Sequence, residues 1–240
     1  MPERLARADA RSDARCRALV VALDVVPRAA GSAYVELGDT KVSCAVYGPR
    51  RARADLARVA RGTLDVTATV APFARRAATL DGTAREKARG REPTTADAGL
   101  AERVEEALLA SVLAESFAKT QVDVCVTVLD ANGGEATASV LAASAALARA
   151  GVEMRDLVSA CECARMGGRI LLDPTREEVE RSDGKVFLAQ MSSLEAYATT
   201  ETFGRWNADE TRIALDACAA GCNRFDAVLR EALRENPKEF

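Results

Sequence analysis

The sequence contains no histidine. That removes the Ser-His-Asp triad, the Cys-His dyad, every His-ligated metal and every imidazole acid–base pair. Aromatic residues are scarce: one Trp, three Tyr and six Phe, and none interleave with the basic stretches as base-stacking platforms do. No apolar run reaches the roughly 18 residues of a membrane span, so no membrane partner is expected. The opening stretch MPERLARADARSDARCR lacks the apolar segment of a secretory signal. Neither GxxxxGK[ST] nor GxGxxG occurs, so the common phosphate cradles are absent. The seven cysteines, Cys16, Cys44, Cys125, Cys161, Cys163, Cys218 and Cys222, form no CxxC pair. No zinc site, no other metal and no cofactor is therefore expected.

What is present describes a soluble globular chain: 48% apolar and 29% charged residues over 240 positions, enough to bury a sizeable core. Residues 1–100 carry 18 Lys+Arg against 12 Asp+Glu, whereas residues 101–240 carry 15 against 24. The basic first half suits a polyanionic partner, although free use of Arg and Ala accounts for it equally well. Cys161 and Cys163 alternate on one strand face, and Cys218 and Cys222 stand i, i+4 on one helix face. Both placements suit small buried hydrophobes in a reducing compartment, cytosol or nucleus.

An Arg-rich leader and a first strand within Ala18–Val26 occupy residues 1–30. Residues 31–50, GSAYVELGDTKVSCAVYGPR, alternate apolar and polar about Gly38-Asp39 and predict a β-hairpin. Leu64–Pro72 predicts a strand. Residues 74–98, poor in large apolar groups, predict a loop whose length implies function or mobility. A helix over Leu100–Phe117, a strand over Val122–Leu129, a sharp turn at Asn132-Gly133-Gly134 and an Ala-rich helix over Ala136–Ala150 follow. Leu157–Cys163 and Arg169–Leu172 predict a hairpin about Gly167-Gly168. Thr175–Arg181 is an acidic loop or short helix. Val186–Met191 and Ala196–Thr202 are strands, and a last helix capped by Asn207 or Asp209 runs to about Arg234. The order predicts one mixed α+β domain over residues 31–240, its sheets covered by helices.

The turn at Gly133-Gly134 stands between a strand and a helix, where backbone amides receive anions. Glu135 occupies the place an incoming anion would need, and is itself a good partner for the helix dipole. The carboxylates Asp173, Glu177, Glu178, Glu180 and Asp183 are either a Mg²⁺ or acid–base set or, by preference, a solvated acidic turn. The basic stretches 50–61 and 75–91 track a phosphate backbone or are solvated loops.

These residues resemble one family. GSAYVELGDTKVSCAVYGPR resembles the signature hairpin of RNase PH-like proteins. Val70–Ala74, VAPFA, resembles their APFS strand end. Leu129–Val158 resembles their central strand, turn and helix, Leu171–Met191 their LDPT-x-EE loop and strand, and RADAR at Arg7–Arg11 a degraded RPDGR. The resemblance implies an RNase PH-like fold similar to the second domain of ribosomal protein S5. The LDPT loop and GVEMRDLV point to the branch of the eukaryotic exosome core ring, of the mRNA-transport-regulator-three type.

Active members are phosphorolytic exoribonucleases carrying G-G-T-R at the helix start. Here Gly133 and Gly134 remain, but Glu135 and Ala136 replace Thr and Arg. Ala96 stands near a second family arginine, and Ala78 near a third, with Arg75 and Arg76 close by. Asp183 falls at the family's catalytic Asp. The resemblance therefore implies a structural ring subunit without its own phosphorolysis, with an active phosphate-dependent 3′-to-5′ exoribonuclease as the alternative. It implies a hetero-hexameric ring with other RNase PH-like chains, S1/KH cap proteins, a hydrolytic exoribonuclease and RNA, met through Arg50, Arg75 and Arg76. Residence in nucleus, nucleolus and cytoplasm is expected.

Overall fold

The computed structural model describes residues 7, 9–51, 61–74 and 95–237. The first sheet is mixed: β1 (Leu19–Leu23), β2 (Gly31–Leu37), β3 (Thr40–Arg51), β4 (Thr63–Val70) and β5 (Thr120–Asp130), in the order β1-β2-β3-β5-β4. Among the described strands only β4 and β5 run parallel, and α1 (Thr95–Leu109) lies in the connection between them. The second sheet is antiparallel: β6 (Val158–Met166), β7 (Arg169–Leu172), β8 (Gly184–Met191) and β9 (Ala196–Gly204), in the order β7-β6-β8-β9. Among the described residues the other α-helices are α2 (Glu135–Arg149), α3 (Arg176–Glu180) and α4 (Ala208–Glu235). The expected α+β class is what the chain adopts.

α2 packs on β2 and β3 of one sheet and on β6 of the other, and α1 bridges β4 and β9. α4 covers the opposite face of the second sheet, against β6 and β8. The Ala-rich composition of α2 is what permits its central position. Ala136, Ala138, Ala142, Ala143, Ala145 and Ala146 are all buried, so sheet and helix backbones approach closely. Val35, Leu37, Val42 and Val46 supply the inward face of the hairpin, and β8 is buried on both faces, with Phe187 toward α1 and Leu188 on the opposite side. No helix among the described residues is long and apolar enough to cross a membrane.

Several boundaries differ from expectation. The first strand is shorter, Leu19–Leu23. The helix expected over Leu100–Phe117 starts five residues earlier, at Thr95, and stops at Leu109. Its start is held by buried Asp97, whose carboxylate accepts from the Val70 N–H at 3.0 Å, a favourable charge in a first turn. Beyond its end Val112 forms a bridge with Met154, which takes the chain out of the helix. Of the expected loop 74–98, residues 95–98 are thus helical, and residues 75–94 lie outside the described residues. Thr175–Arg181 resolves into the short helix α3, closed by a Thr175/Glu178 capping box. Asn207, not Asp209, caps the last helix, accepting from the Glu210 N–H at 2.7 Å.

Candidate functional site

The turn between β5 and α2 is built by two glycines at positive φ, Gly133 (85°) and Gly134 (73°). An added Cβ on Gly133 would stand 2.6 Å from the Arg176 nitrogen and 2.7 Å from the Thr175 carbonyl carbon, so the loop before α3 closes directly over the turn. Ala136 is buried in the first turn of α2. Glu135 folds back on the turn: its Oε1 accepts from the Gly133 N–H at 3.3 Å and lies 3.9 Å from Arg176 Nη2. The amide that would greet an incoming anion already meets the chain's own carboxylate.

The acidic set 173–183 is neither a solvated turn nor a common metal site, because burial splits it. Asp173, 1% exposed, accepts from the Arg17 backbone N–H at 2.7 Å, Arg17 Nε at 2.9 Å, Arg17 Nη2 at 2.6 Å and Arg11 Nη1 at 3.3 Å. Glu178 takes both arms of buried Arg7, each at 2.8 Å. Glu177, Glu180 and Asp183 are exposed. Arg17 then donates to the Asn132 carbonyl (3.1 Å) and the Gly133 carbonyl (2.9 Å). The leader arginines thus clamp the 172–178 loop and the glycine turn together. Burial would lower the Arg17 guanidinium, but Asp173 overrides it and holds the group above its ordinary value.

A second cluster lies on the sheet face beneath α1. Glu162 of β6 is buried and pairs with Lys185 of β8 at 3.5 Å. Arg103 of α1 donates to Glu201 of β9 at 2.7 Å and stacks on the rings of Phe187 and Phe203. Burial pushes Glu162 above the ordinary carboxylate range. Lys185 and Arg103 oppose the shift and Glu135 adds to it, which places the glycine turn within electrostatic reach. A raised carboxylate keeps its proton when folded in a window where the unfolded chain has released it. Stability from this group therefore falls as pH rises from the ordinary glutamate range toward neutrality. Glu162→Gln is expected to gain stability relative to the parent between pH 4.5 and 7, read by thermal melts. A loss over that window would show that the pairing with Lys185 outweighs burial.

Asp183 immediately precedes β8. Its N–H donates to the Arg165 carbonyl at 2.8 Å, and its exposed carboxylate makes no hydrogen bond or ion pair among the described residues. Ala96 is exposed in the first turn of α1, and the arginine that enters the sheet face is Arg103, two turns on. Arg50 is 53% exposed on its side chain but is engaged with Asp123 across the β3–β5 pair. Arg75 and Arg76 lie outside the described residues. The cysteines of β6 and α4 face one another: Cys161, Cys163, Cys218 and Cys222 are all buried. Burial pushes the Cys222 thiol up, and a hydrogen bond with Cys161 pushes Cys16 up. Cys16 and Cys222 are thus held as thiols, the unreactive form.

Sequence reasoning missed the two networks that matter most here. Arg7, Arg11 and Arg17 read as leader residues, and the RADAR motif was a signal for Arg7 and Arg11 alone. Glu162 and Lys185 had a subtler signal: Glu162 is a lone carboxylate in the small-residue strand VSACECARM, where an unpaired charge would be costly.

Residues 15–153 match the family model described as 3′ exoribonuclease family, domain 1, and residues 156–202 match domain 2 of the same family. The exosome complex component Rrp41 of Methanopyrus kandleri is 33% identical over 98% of this chain and 96% of the relative. That of Cenarchaeum symbiosum is 31% identical over 95% of this chain and 90% of the relative. Among solved structures, rice Rrp46 superposes with a TM-score of 0.81 at 21% identity, covering 95% of this chain and 100% of the other. A chain of the Archaeoglobus fulgidus exosome with RNA bound to the active site superposes with a TM-score of 0.75 at 24% identity, covering 95% and 92%. At these identities the structural likeness speaks for the fold.

Proposed function

The chain belongs to the 3′ exoribonuclease (RNase PH) family, and from that premise we propose that it is a non-catalytic subunit of an exosome core ring, helping to form the RNA channel for 3′-to-5′ RNA processing and degradation. The observation that carries the reading is Glu135 on the Gly133 amide. Phosphorolysis needs a phosphate held by preorganised donors against the 3′-terminal phosphodiester. A dianion brought beside the Glu135 carboxylate meets repulsion, which is strongest where water is scarce. Of the cations on the neighbouring sheet face, Arg103 is already matched by Glu201, and Lys185 lies 3.5 Å from Glu162. Asp183 remains as a carboxylate without a phosphate site to serve.

Ring membership is supported by the exosome components among the relatives. Its partners would be other RNase PH-like chains, S1/KH caps, RNA and an associated hydrolytic exoribonuclease, in nucleus, nucleolus and cytoplasm. The finer placement with transport-regulator-three subunits rests on the LDPT and GVEMRDLV motifs alone.

The test isolates the complex through a tagged full chain from its own cells, measures its native mass and assays orthophosphate-dependent release of nucleoside diphosphates. The expected result is an assembly of several different RNase PH-like chains whose release, if any, is unchanged by Asp183→Asn. A ring of this chain alone, or release lost in that variant, would install the active phosphorolytic enzyme instead. Glu135→Thr combined with Ala136→Arg is expected to tighten inorganic phosphate binding by roughly tenfold or more.

A further inference from the structure

Phe73 follows β4 and is 78% exposed, the most exposed of the large apolar residues described. It does not stand alone on a flat surface. With Ala74, Asp39, Asp130, Ala131, Asn132 and Arg176 it lines a cavity of about 360 Å³, within the volume range of small-ligand pockets. Asp39 Oδ2 accepts from Asn132 Nδ2 at 3.1 Å and Asp130 Oδ1 accepts from the Ala131 N–H at 3.0 Å. Each carboxylate keeps its other oxygen without a partner among the described residues. Arg176, the cation of the wall, is turned to the Ala131 carbonyl (3.5 Å) and toward Glu135 (3.9 Å). The β3–β5 register sets Lys41 across from Asp130. Among the described residues lining the pocket, Asp39 and Asp130 outnumber Arg176, the cation that Glu135 already engages.

We propose that this pocket receives an arginine side chain presented by another protein chain. The aromatic face attracts a cation through its quadrupole, and the free carboxylate oxygens of Asp39 and Asp130 suit the donor fork of a guanidinium. The same carboxylates repel a phosphate backbone, which disfavours RNA as the occupant. The inference does not depend on whether the chain is catalytic.

The experiment titrates the ¹⁵N-labelled full chain with N-acetyl-argininamide, N-acetyl-citrullinamide, free arginine and a six-residue oligouridine, following amide shifts. The expected result is saturable binding of N-acetyl-argininamide with shifts confined to Asp39, Phe73, Ala74 and 130–132. Citrullinamide, the neutral near-isostere, should be inert. Phe73→Leu, and separately Asp39→Asn with Asp130→Asn, should each weaken binding at least fivefold while leaving the rest of the spectrum unchanged. Absence of localised shifts, or equal shifts with citrullinamide, overturns the proposal. Tighter binding of free arginine would make this a metabolite site, and tighter binding of oligouridine an RNA contact; either replaces it.

Discussion

Asp173→Ala is expected to destabilise the chain by about 3–5 kcal/mol, the cost of removing one partner of a buried ion pair and leaving the other charge uncompensated. In a chain of this size that corresponds to a melting temperature lower by roughly 6–20 °C. Asp173 takes three bonds from Arg17 and one from Arg11, and both arginines sit largely out of water. Its backbone is also unusual, with φ at 49° before Pro174, a left-handed conformation that Asp and Asn tolerate better than Ala. Asp173→Asn separates the two contributions: it keeps the backbone preference and loses the charge, and should fall between parent and alanine variant. Arg17→Met combined with Asp173→Leu removes both charges and should recover part of the loss. A melt of Asp173→Ala within 2 °C of the parent would mean the clamp holds nothing. The consequence extends to the glycine turn, because Arg17 carries the carbonyls of Asn132 and Gly133.

Gly31→Ala is expected to be of similar severity, about 3–5 kcal/mol, at the upper end for a single overpacking change. Gly31 opens β2 opposite Val46, and the last turn of α2 lies directly on it. A Cβ there would collide with the Ala150 nitrogen and the Ala146 oxygen and stand 2.7 Å from the Arg149 carbonyl carbon. All three are backbone atoms, so no side chain can swing aside. Gly99→Ala is the control. It stands in α1 with nothing within 4 Å of the added carbon, and should be neutral or stabilising by up to about 1 kcal/mol. Thermal melts of the two variants beside the parent decide the matter. Gly31→Ala that remains folded and melts within 2 °C would disprove the close packing of strand and helix.

The hairpin about Gly38-Asp39, the small-residue helix and the closing helix were legible because each rests on local periodicity. Alternation in Val35, Leu37, Val42 and Cys44 places one strand face inward whatever lies opposite. Ends were less legible, because they answer to distant groups: Asp97 starts α1 by reaching Val70 of β4. The candidate site divides the same way. The loss of Thr and Arg at Glu135 and Ala136 is visible in the residues themselves. That Glu135 turns back to fill the Gly133 amide, rather than pointing to solvent, depends on Arg176 and the loop closing over the turn.

By itself, the sequence determined the chemistry that is impossible and the elements that form. Without histidine no imidazole mechanism exists, and hydrophobic period dictates strand or helix through which face can leave water. Only the tertiary structure decided which charges meet. Arg7 and Glu178 are 171 positions apart and Arg17 and Asp173 are 156 apart. Their carboxylates looked like a solvated turn because sequence proximity grouped them with Glu177 and Glu180. Burial sorts them instead: a charge taken out of water must find its counter-charge wherever the fold supplies one. No local pattern in the chain encodes that pairing.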